Sequence, residues 1–73
     1  MDLNSAMNTK VSWNESAPPY AYEATVDGQQ WRLRLNDFPE EQLYTLFVGK
    51  SEIGELDDFP PAWSKWRFEY STD

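Results

Sequence analysis

The chain has 73 residues, with 13 acidic and 6 basic side chains and a net charge of −7 at neutral pH. It contains no histidine and no cysteine, which excludes disulfide bonds, thiolate chemistry and any Ser-His or Cys-His catalytic arrangement within one chain. The acidic balance argues against direct nucleic-acid binding, because phosphate contacts require clustered Lys and Arg side chains.

Residues 1–19 are mainly polar and end in Ser16-Ala17-Pro18-Pro19. Consecutive prolines favour an extended stretch, so we predict a flexible N-terminal arm over residues 1–19 and a single small domain over residues 20–73. The segment from Val11 to Trp13 is a candidate edge strand. We find no basic, apolar leader and no apolar run of about 20 residues, and we therefore expect a soluble, cytoplasmic protein without membrane contacts.

The clearest structural signal is a hairpin centred on Asp27-Gly28. Apolar and polar residues alternate from Tyr20 to Val26 and again from Trp31 to Leu35, and Asp-Gly between such runs favours a type I′ turn. A two-residue turn also fixes which residues face each other. The predicted pairs are Val26 with Gln29, Ala24 with Trp31, Tyr22 with Leu33, and Glu23 with Arg32.

A second hairpin is predicted to follow. The nearly unbroken apolar run from Leu43 to Val48 indicates a central strand, and Gly49-Lys50 can turn it into a further strand from Ser51 to Leu56. A two-residue loop would place Leu46 opposite Ile53. Glycine weakens a strand interior, so we expect Gly54 to mark a bulge or an early end.

The C-terminal segment is predicted to be partly helical. Phe59, Trp63, Trp66 and Tyr70 lie four, three and four residues apart, a spacing typical of one helical face. Charged and aromatic residues nevertheless alternate from Lys65 to Tyr70. We predict helical turns over residues 60–64 and an edge strand over residues 65–70, with an unbroken helix over residues 60–70 as the alternative. The expected fold is α+β but mainly β: an antiparallel meander of four or five strands with one short helical segment near the C-terminus.

Two similar segments bear oxygen ligands, Leu35-Asn36-Asp37-Phe38-Pro39 and Leu56-Asp57-Asp58-Phe59-Pro60. Their side chains, with Glu40 and Glu41 nearby, would suit Ca²⁺ or Mg²⁺, but no EF-hand spacing is present. We favour turn capping by Asp37 and Asp58, with Glu40 completing a capping box and both phenylalanines packed inward. We expect no metal, no cofactor and no enzyme activity, because so small a domain has little volume for a pocket lined by paired carboxylates.

The strongest functional signal is the segregation of charge, since residues 37–58 hold seven acidic residues and one basic residue. A concentrated negative field favours encounter with a basic partner. We therefore predict a non-enzymatic protein-binding domain, of the inhibitor, immunity-protein or nucleic-acid-mimic type. The acidic cluster comprises Asp37, Glu40, Glu41, Glu52, Glu55, Asp57 and Asp58. The predicted partner-binding residues are Asp37, Glu40, Glu41, Glu55, Asp57, Asp58, Trp63 and Trp66.

Two other interpretations remain open. Trp63 and Trp66, if exposed, would form a stacking platform for a carbohydrate or another small ligand. A homodimer is also possible, because an edge strand over residues 65–70 would offer unpaired backbone groups to a second copy.

Overall fold

A single mixed β-sheet of six strands, with one short helix, makes up the computed structural model, which describes residues 1–65. The elements are α1 (Leu3–Met7), β1 (Val11–Glu15), β2 (Tyr20–Val26), β3 (Gln29–Leu35), β4 (Tyr44–Val48), β5 (Ser51–Leu56) and β6 (Trp63–Lys65). The strand order is β5-β4-β3-β2-β1-β6. Strands β1 to β5 form an antiparallel meander, and β6 lies parallel to β1. The mainly β class is therefore confirmed, while the sheet has more strands than predicted and is mixed.

The β2–β3 hairpin has the predicted turn and the predicted register. Asp27 and Gly28 have φ angles of 50° and 80°, as a type I′ turn requires. All four predicted pairs are present, including Glu23 opposite Arg32. The apolar members of these pairs lie on one face of the sheet, which we call the inner face; the opposite face is the outer face.

Strand β4 lies between β3 and β5, as predicted, but its pairing with β5 shifts. Leu46 pairs with Gly54 rather than with Ile53, because a β-bulge interrupts the register between Leu46 and Phe47. Gly54 is the residue whose missing side chain lets the helix approach, since a Cβ there would lie 3.1 Å from Leu3 Cδ2. The bulge expected near Gly54 is thus confirmed.

The flexible arm predicted for residues 1–19 is wrong for the part that forms α1 and β1. Helix α1 begins after Asp2, whose Oδ1 accepts a hydrogen bond from the Ser5 N–H at 2.9 Å. Strand β1 is no edge strand, because it pairs with β2 on one side and with β6 on the other. Ala6 and Trp13 are completely buried, so this segment contributes to the core.

The core fills the inner face beneath α1. Leu3 packs against β5 at one edge of the sheet, and the Ala6 carbonyl accepts a hydrogen bond from Trp63 Nε1 of β6, at the other edge, at 3.0 Å. The helix therefore bridges the two edge strands. The buried apolar side chains are Ala6, Val11, Trp13, Ala24, Trp31, Leu33, Leu46, Val48, Leu56 and Trp63.

The helical turns predicted over residues 60–64 are wrong, and so is the alternative of a helix running through residues 60–70. A turn closed by a hydrogen bond from Trp63 N to Pro60 O leads directly into β6. The aromatic spacing suited a helix, but the strand gains a parallel ladder with β1 and buries Trp63 against Trp13, at 5.2 Å between ring centroids. Of the strand predicted over residues 65–70, only Lys65 lies within the described residues.

Candidate functional site

The acidic loops meet at one end of the sheet. Because neighbouring strands are antiparallel, the end of β3, the start of β4 and the end of β5 lie at the same end of the sheet. The β3–β4 loop and the segment after β5 are therefore neighbours. A hydrogen bond from Leu43 N to Asp57 Oδ1, at 2.9 Å, joins them. We call the exposed acidic residues of these two segments the acidic rim: Asp37, Glu40, Glu41, Asp57 and Asp58.

Two members of the acidic rim also hold the loops in shape. Glu41 Oε1 accepts a hydrogen bond from Asp37 N at 3.2 Å, and Glu41 N donates to Asp37 O at 2.9 Å. The closing acid of this turn is therefore Glu41, where the sequence analysis predicted Glu40. Likewise Asp57, and not Asp58, makes the bond between the loops. Glu40 and Asp58 are exposed, and within residues 1–65 their side chains make no hydrogen bond to another residue.

Asn36 fixes the start of the β3–β4 loop to the sheet. Its Nδ2 donates to Gln42 O at 2.9 Å, and its side-chain amide is hydrogen-bonded to Thr45 Oγ1. Thr45 points to the outer face yet is completely buried, because the Asn36 side chain lies over it. A buried hydroxyl of this kind needs a partner, and Asn36 supplies it.

Glu55 does not lie in the acidic rim. Glu55 is on β5, pairs with Thr45 of β4 and is exposed on the outer face of the sheet. Glu52 pairs with Phe47 near the opposite end of the strand, beside the β4–β5 turn. Both were predicted to belong with the loop acids, because the position of a charge along the chain does not reveal which face of a bulged strand carries the side chain.

Two exposed apolar residues lie beside the acidic rim, and the sequence analysis did not select them. Leu35 is 55% exposed at the end of β3, and Phe38 is 59% exposed in the β3–β4 loop. The prediction that both repeated phenylalanines pack inward is confirmed only for Phe59, whose ring contacts Trp13 and Trp63. The reason is topological: the segment after β5 must cross the inner face to reach β6, whereas the β3–β4 loop only connects neighbouring strands.

Aromatic rings and one cation lie on the inner face next to the acidic rim. Tyr44 makes edge contacts with Tyr22 and Phe59 at 6.2 and 5.8 Å between ring centroids. Burial raises the pKa of the Tyr44 hydroxyl, and Tyr22 and the Asp58 carboxylate add smaller contributions in the same direction. The Lys65 ammonium lies 5.1 Å from the Phe59 ring centroid, within the range of a cation–π contact.

Trp63 offers no ring face to a ligand. It is 5% exposed, and its indole N–H donates to the Ala6 carbonyl, so the structure places it in the core. Trp66, the other member of the predicted stacking platform, lies outside the described residues. Within residues 1–65, no three acidic side chains converge as ligands of a metal ion.

An open groove of about 390 Å³ lies away from the acidic rim, at the start of β1 and β6. Lys10, Ser12 and Ser64 contribute polar groups to it, and the acidic rim contributes none. Within residues 1–65 no helix has the length and apolar character needed to cross a membrane. Comparisons with protein-family models, with curated proteins and with solved structures found no match.

Proposed function

We propose that the protein is a non-enzymatic binding domain whose acidic rim engages a basic surface of a partner protein. The observation that carries this proposal is the hydrogen bond between Leu43 and Asp57. It unites acidic segments that are separated along the chain into one negatively charged surface. The sequence alone predicted that these segments converge but did not identify a contact between them.

The surroundings of the acidic rim support binding. Carboxylates held together make the local electrostatic potential more negative, which accelerates encounter with a cationic partner and biases its orientation. Charge alone gives little affinity at an exposed surface, and interfaces gain most of theirs from buried apolar and aromatic anchors. Leu35 and Phe38 provide such anchors beside the carboxylates.

The first experiment is a pull-down from native lysate at low and at high salt, with the captured proteins identified by mass. A basic partner retained at low salt and lost at high salt is the expected result, because salt screens exposed charges. That partner is then purified, and its affinity is measured by calorimetry for the wild type and for two charge-matched variants.

The rim variant carries Glu40→Gln and Asp58→Asn, which remove two carboxylates without breaking a loop hydrogen bond. The control variant carries Glu15→Gln and Asp27→Asn, two exposed residues that change the net charge equally and lie outside the acidic rim. At about 0.2–1 kcal/mol per exposed pair, the loss of two carboxylates should weaken binding about two- to thirtyfold. The control should bind like the wild type. Equal losses in both variants would contradict a role for the acidic rim.

A further inference from the structure

The outer face of the sheet carries opposite charges in register across three strands. Arg32 of β3 pairs with Phe47 of β4, which pairs with Glu52 of β5. One row along, Arg34 pairs with Thr45, which pairs with Glu55. Each row therefore runs from a guanidinium on β3, across β4, to a carboxylate on β5. Helix α1 and the core lie on the inner face, and no described element packs over these rows.

The bulge in β5 produces this arrangement. With regular pairing from the Gly49-Lys50 turn, Gly54 would face outward opposite Thr45, and Glu55 would face inward. The extra residue, Ile53, shifts the rest of the strand by one position, so that Glu55 pairs with Thr45. Since side chains alternate between the faces of a strand, the shift turns Glu55 outward and leaves Leu56 buried in the core.

The two arginines are held in position before any partner binds. The Arg32 guanidinium lies over the Tyr20 ring, at 5.1 Å from its centroid, and donates to Gln30 Oε1 at 3.0 Å. Arg34 lies over the Phe47 ring at 5.3 Å and donates to Asn36 Oδ1 at 3.4 Å. A guanidinium fixed in this way loses less conformational freedom on binding a carboxylate.

We propose that the outer face binds a second copy of the chain, around a two-fold axis that runs along β4 in the plane between the two sheets. This rotation places β3 of each copy over β5 of the other. Arg32 then faces the second copy's Glu52, and Arg34 faces its Glu55. The two Phe47 rings meet at the axis. The surface is self-complementary, as a two-fold interface must be.

Other two-fold arrangements of the same face lose this match. An axis along β3 places Arg32 over the second copy's Arg32, and an axis perpendicular to the strands places β3 over β3 with the arginines facing each other. Sheets that pack face to face lie about 10 Å apart, a gap that Arg and Glu side chains reaching from opposite sides can span. An axis between β2 and β3 would place only Glu23 opposite Arg32. Charge complementarity therefore favours the axis along β4, which pairs both arginines of each copy with carboxylates.

The size of the face indicates a weak dimer. Three strands spaced by about 4.8 Å, and about six residues long at about 3.3 Å each, cover roughly 300 Å² of sheet per copy. Stable interfaces bury about 800 Å² per partner. We therefore expect association only at high protein concentration. Salt alone is an ambiguous probe, because it screens both the paired charges and the repulsion between two acidic chains.

The test uses two variants that cannot pair with themselves but can pair with each other. The acidic variant carries Arg32→Glu and Arg34→Glu, and the basic variant carries Glu52→Arg and Glu55→Arg. In either homodimer like charges face each other, whereas in the mixed dimer every carboxylate faces a guanidinium. Sedimentation equilibrium should show that each variant alone is monomeric and that the equimolar mixture associates at least about tenfold more tightly than either.

The control variant carries Lys10→Glu and Lys50→Glu, which give it the same net charge as the acidic variant. Mixed with the basic variant it should associate much more weakly than the acidic variant does. Its Glu52 and Glu55 still face arginines, but its Arg32 and Arg34 also face arginines, and this repulsion offsets the attraction. If the two mixtures associate equally, and circular dichroism shows that all chains are folded, the proposal is overturned. If the acidic or the basic variant does not fold, the self-association of Glu52→Gln with Glu55→Gln is compared with that of the wild type. Weaker self-association supports the interface, and no change refutes it. The rim variant, Glu40→Gln with Asp58→Asn, should self-associate like the wild type, which separates this surface from the acidic rim.

Discussion

Three buried tryptophans differ in whether the indole N–H is hydrogen-bonded, and this difference predicts which one contributes most to stability. Trp63 donates to the Ala6 carbonyl. The Nε1 atoms of Trp13 and Trp31 are buried without an acceptor among the described residues. Trp13, Trp31 and Trp63 are 0%, 1% and 5% exposed, so the apolar burial of the three rings is comparable.

Replacing each tryptophan by phenylalanine removes a similar apolar volume, worth about 2 kcal/mol for the lost ring atoms at about 0.8 kcal/mol per carbon group. Trp63→Phe also loses a hydrogen bond, worth about 0.5–1.5 kcal/mol. Trp13→Phe and Trp31→Phe instead remove an unpaired buried donor, which relieves about 1–3 kcal/mol. We therefore expect Trp63→Phe to cost about 3 kcal/mol and the other two to cost about 1 kcal/mol or less.

Urea unfolding followed by far-ultraviolet circular dichroism measures these differences without relying on tryptophan fluorescence. In thermal unfolding, a difference of about 2 kcal/mol should separate the midpoints by roughly 8–16 °C in a domain of this size. Equal destabilisation by all three substitutions would show that the Trp63 hydrogen bond contributes nothing. A larger loss for Trp13→Phe than for Trp63→Phe would show that ring packing dominates.

Two further predictions concern the turns and the tyrosine beside the acidic rim. Gly28→Ala should lower the free energy of unfolding by about 1–2 kcal/mol, measured in urea, because the φ of Gly28 is 80° and a Cβ disfavours that region. Gly54→Ala should cost less, because the nearest atom to the new Cβ is Leu3 Cδ2, at the end of a side chain, at 3.1 Å. The opposite ranking would refute this reasoning. The pKa of Tyr44 is raised from its ordinary value of 10.0, so the unfolded chain ionises first, and stability should be lost as the pH rises above about 10. Urea unfolding at pH 9 and pH 11 should show a smaller loss for Tyr44→Phe, and equal losses would contradict it.

Local chemistry explains why the β2–β3 hairpin could be predicted pair by pair. The Asp27-Gly28 turn needs only two residues that readily adopt positive φ angles, and the alternating pattern then determines the register. Gly54 likewise marked the bulge in β5. In both cases the information lies within a few residues of the feature.

The N- and C-terminal segments could not be predicted because they depend on each other. The burial of Trp13 depends on β6, which pairs with β1 and brings the Trp63 ring against it. Read separately, a polar segment with one tryptophan suggests an arm, and aromatic residues three and four apart suggest a helix. The pairing joins residues some 50 positions apart, which no local pattern reveals.

The acidic rim was predicted only in part, because some of its features are local and others depend on distant parts of the chain. The convergence of the two acidic loops follows from antiparallel neighbours, which the hairpins already implied. The exposure of Phe38 and the position of Glu55 depend on the path of the chain after β5 and on the bulge. Two phenylalanines in nearly identical segments therefore have opposite environments, and similarity of sequence did not decide between them.

The fold leaves the acidic rim and the outer face as the chemically distinctive surfaces of the described chain. The inner face is filled by the aromatic core and closed by α1, so a partner would have to unfold the domain to reach it. Asn36 lies where the two surfaces meet, because it is hydrogen-bonded both to Gln42 in the β3–β4 loop and to Thr45 on the outer face. The rim loop is thereby fixed in position relative to Arg34, and a dimer through the outer face would present two acidic rims in a defined orientation. A partner with two basic patches at the matching spacing would then bind more tightly than either patch alone, without any additional contact.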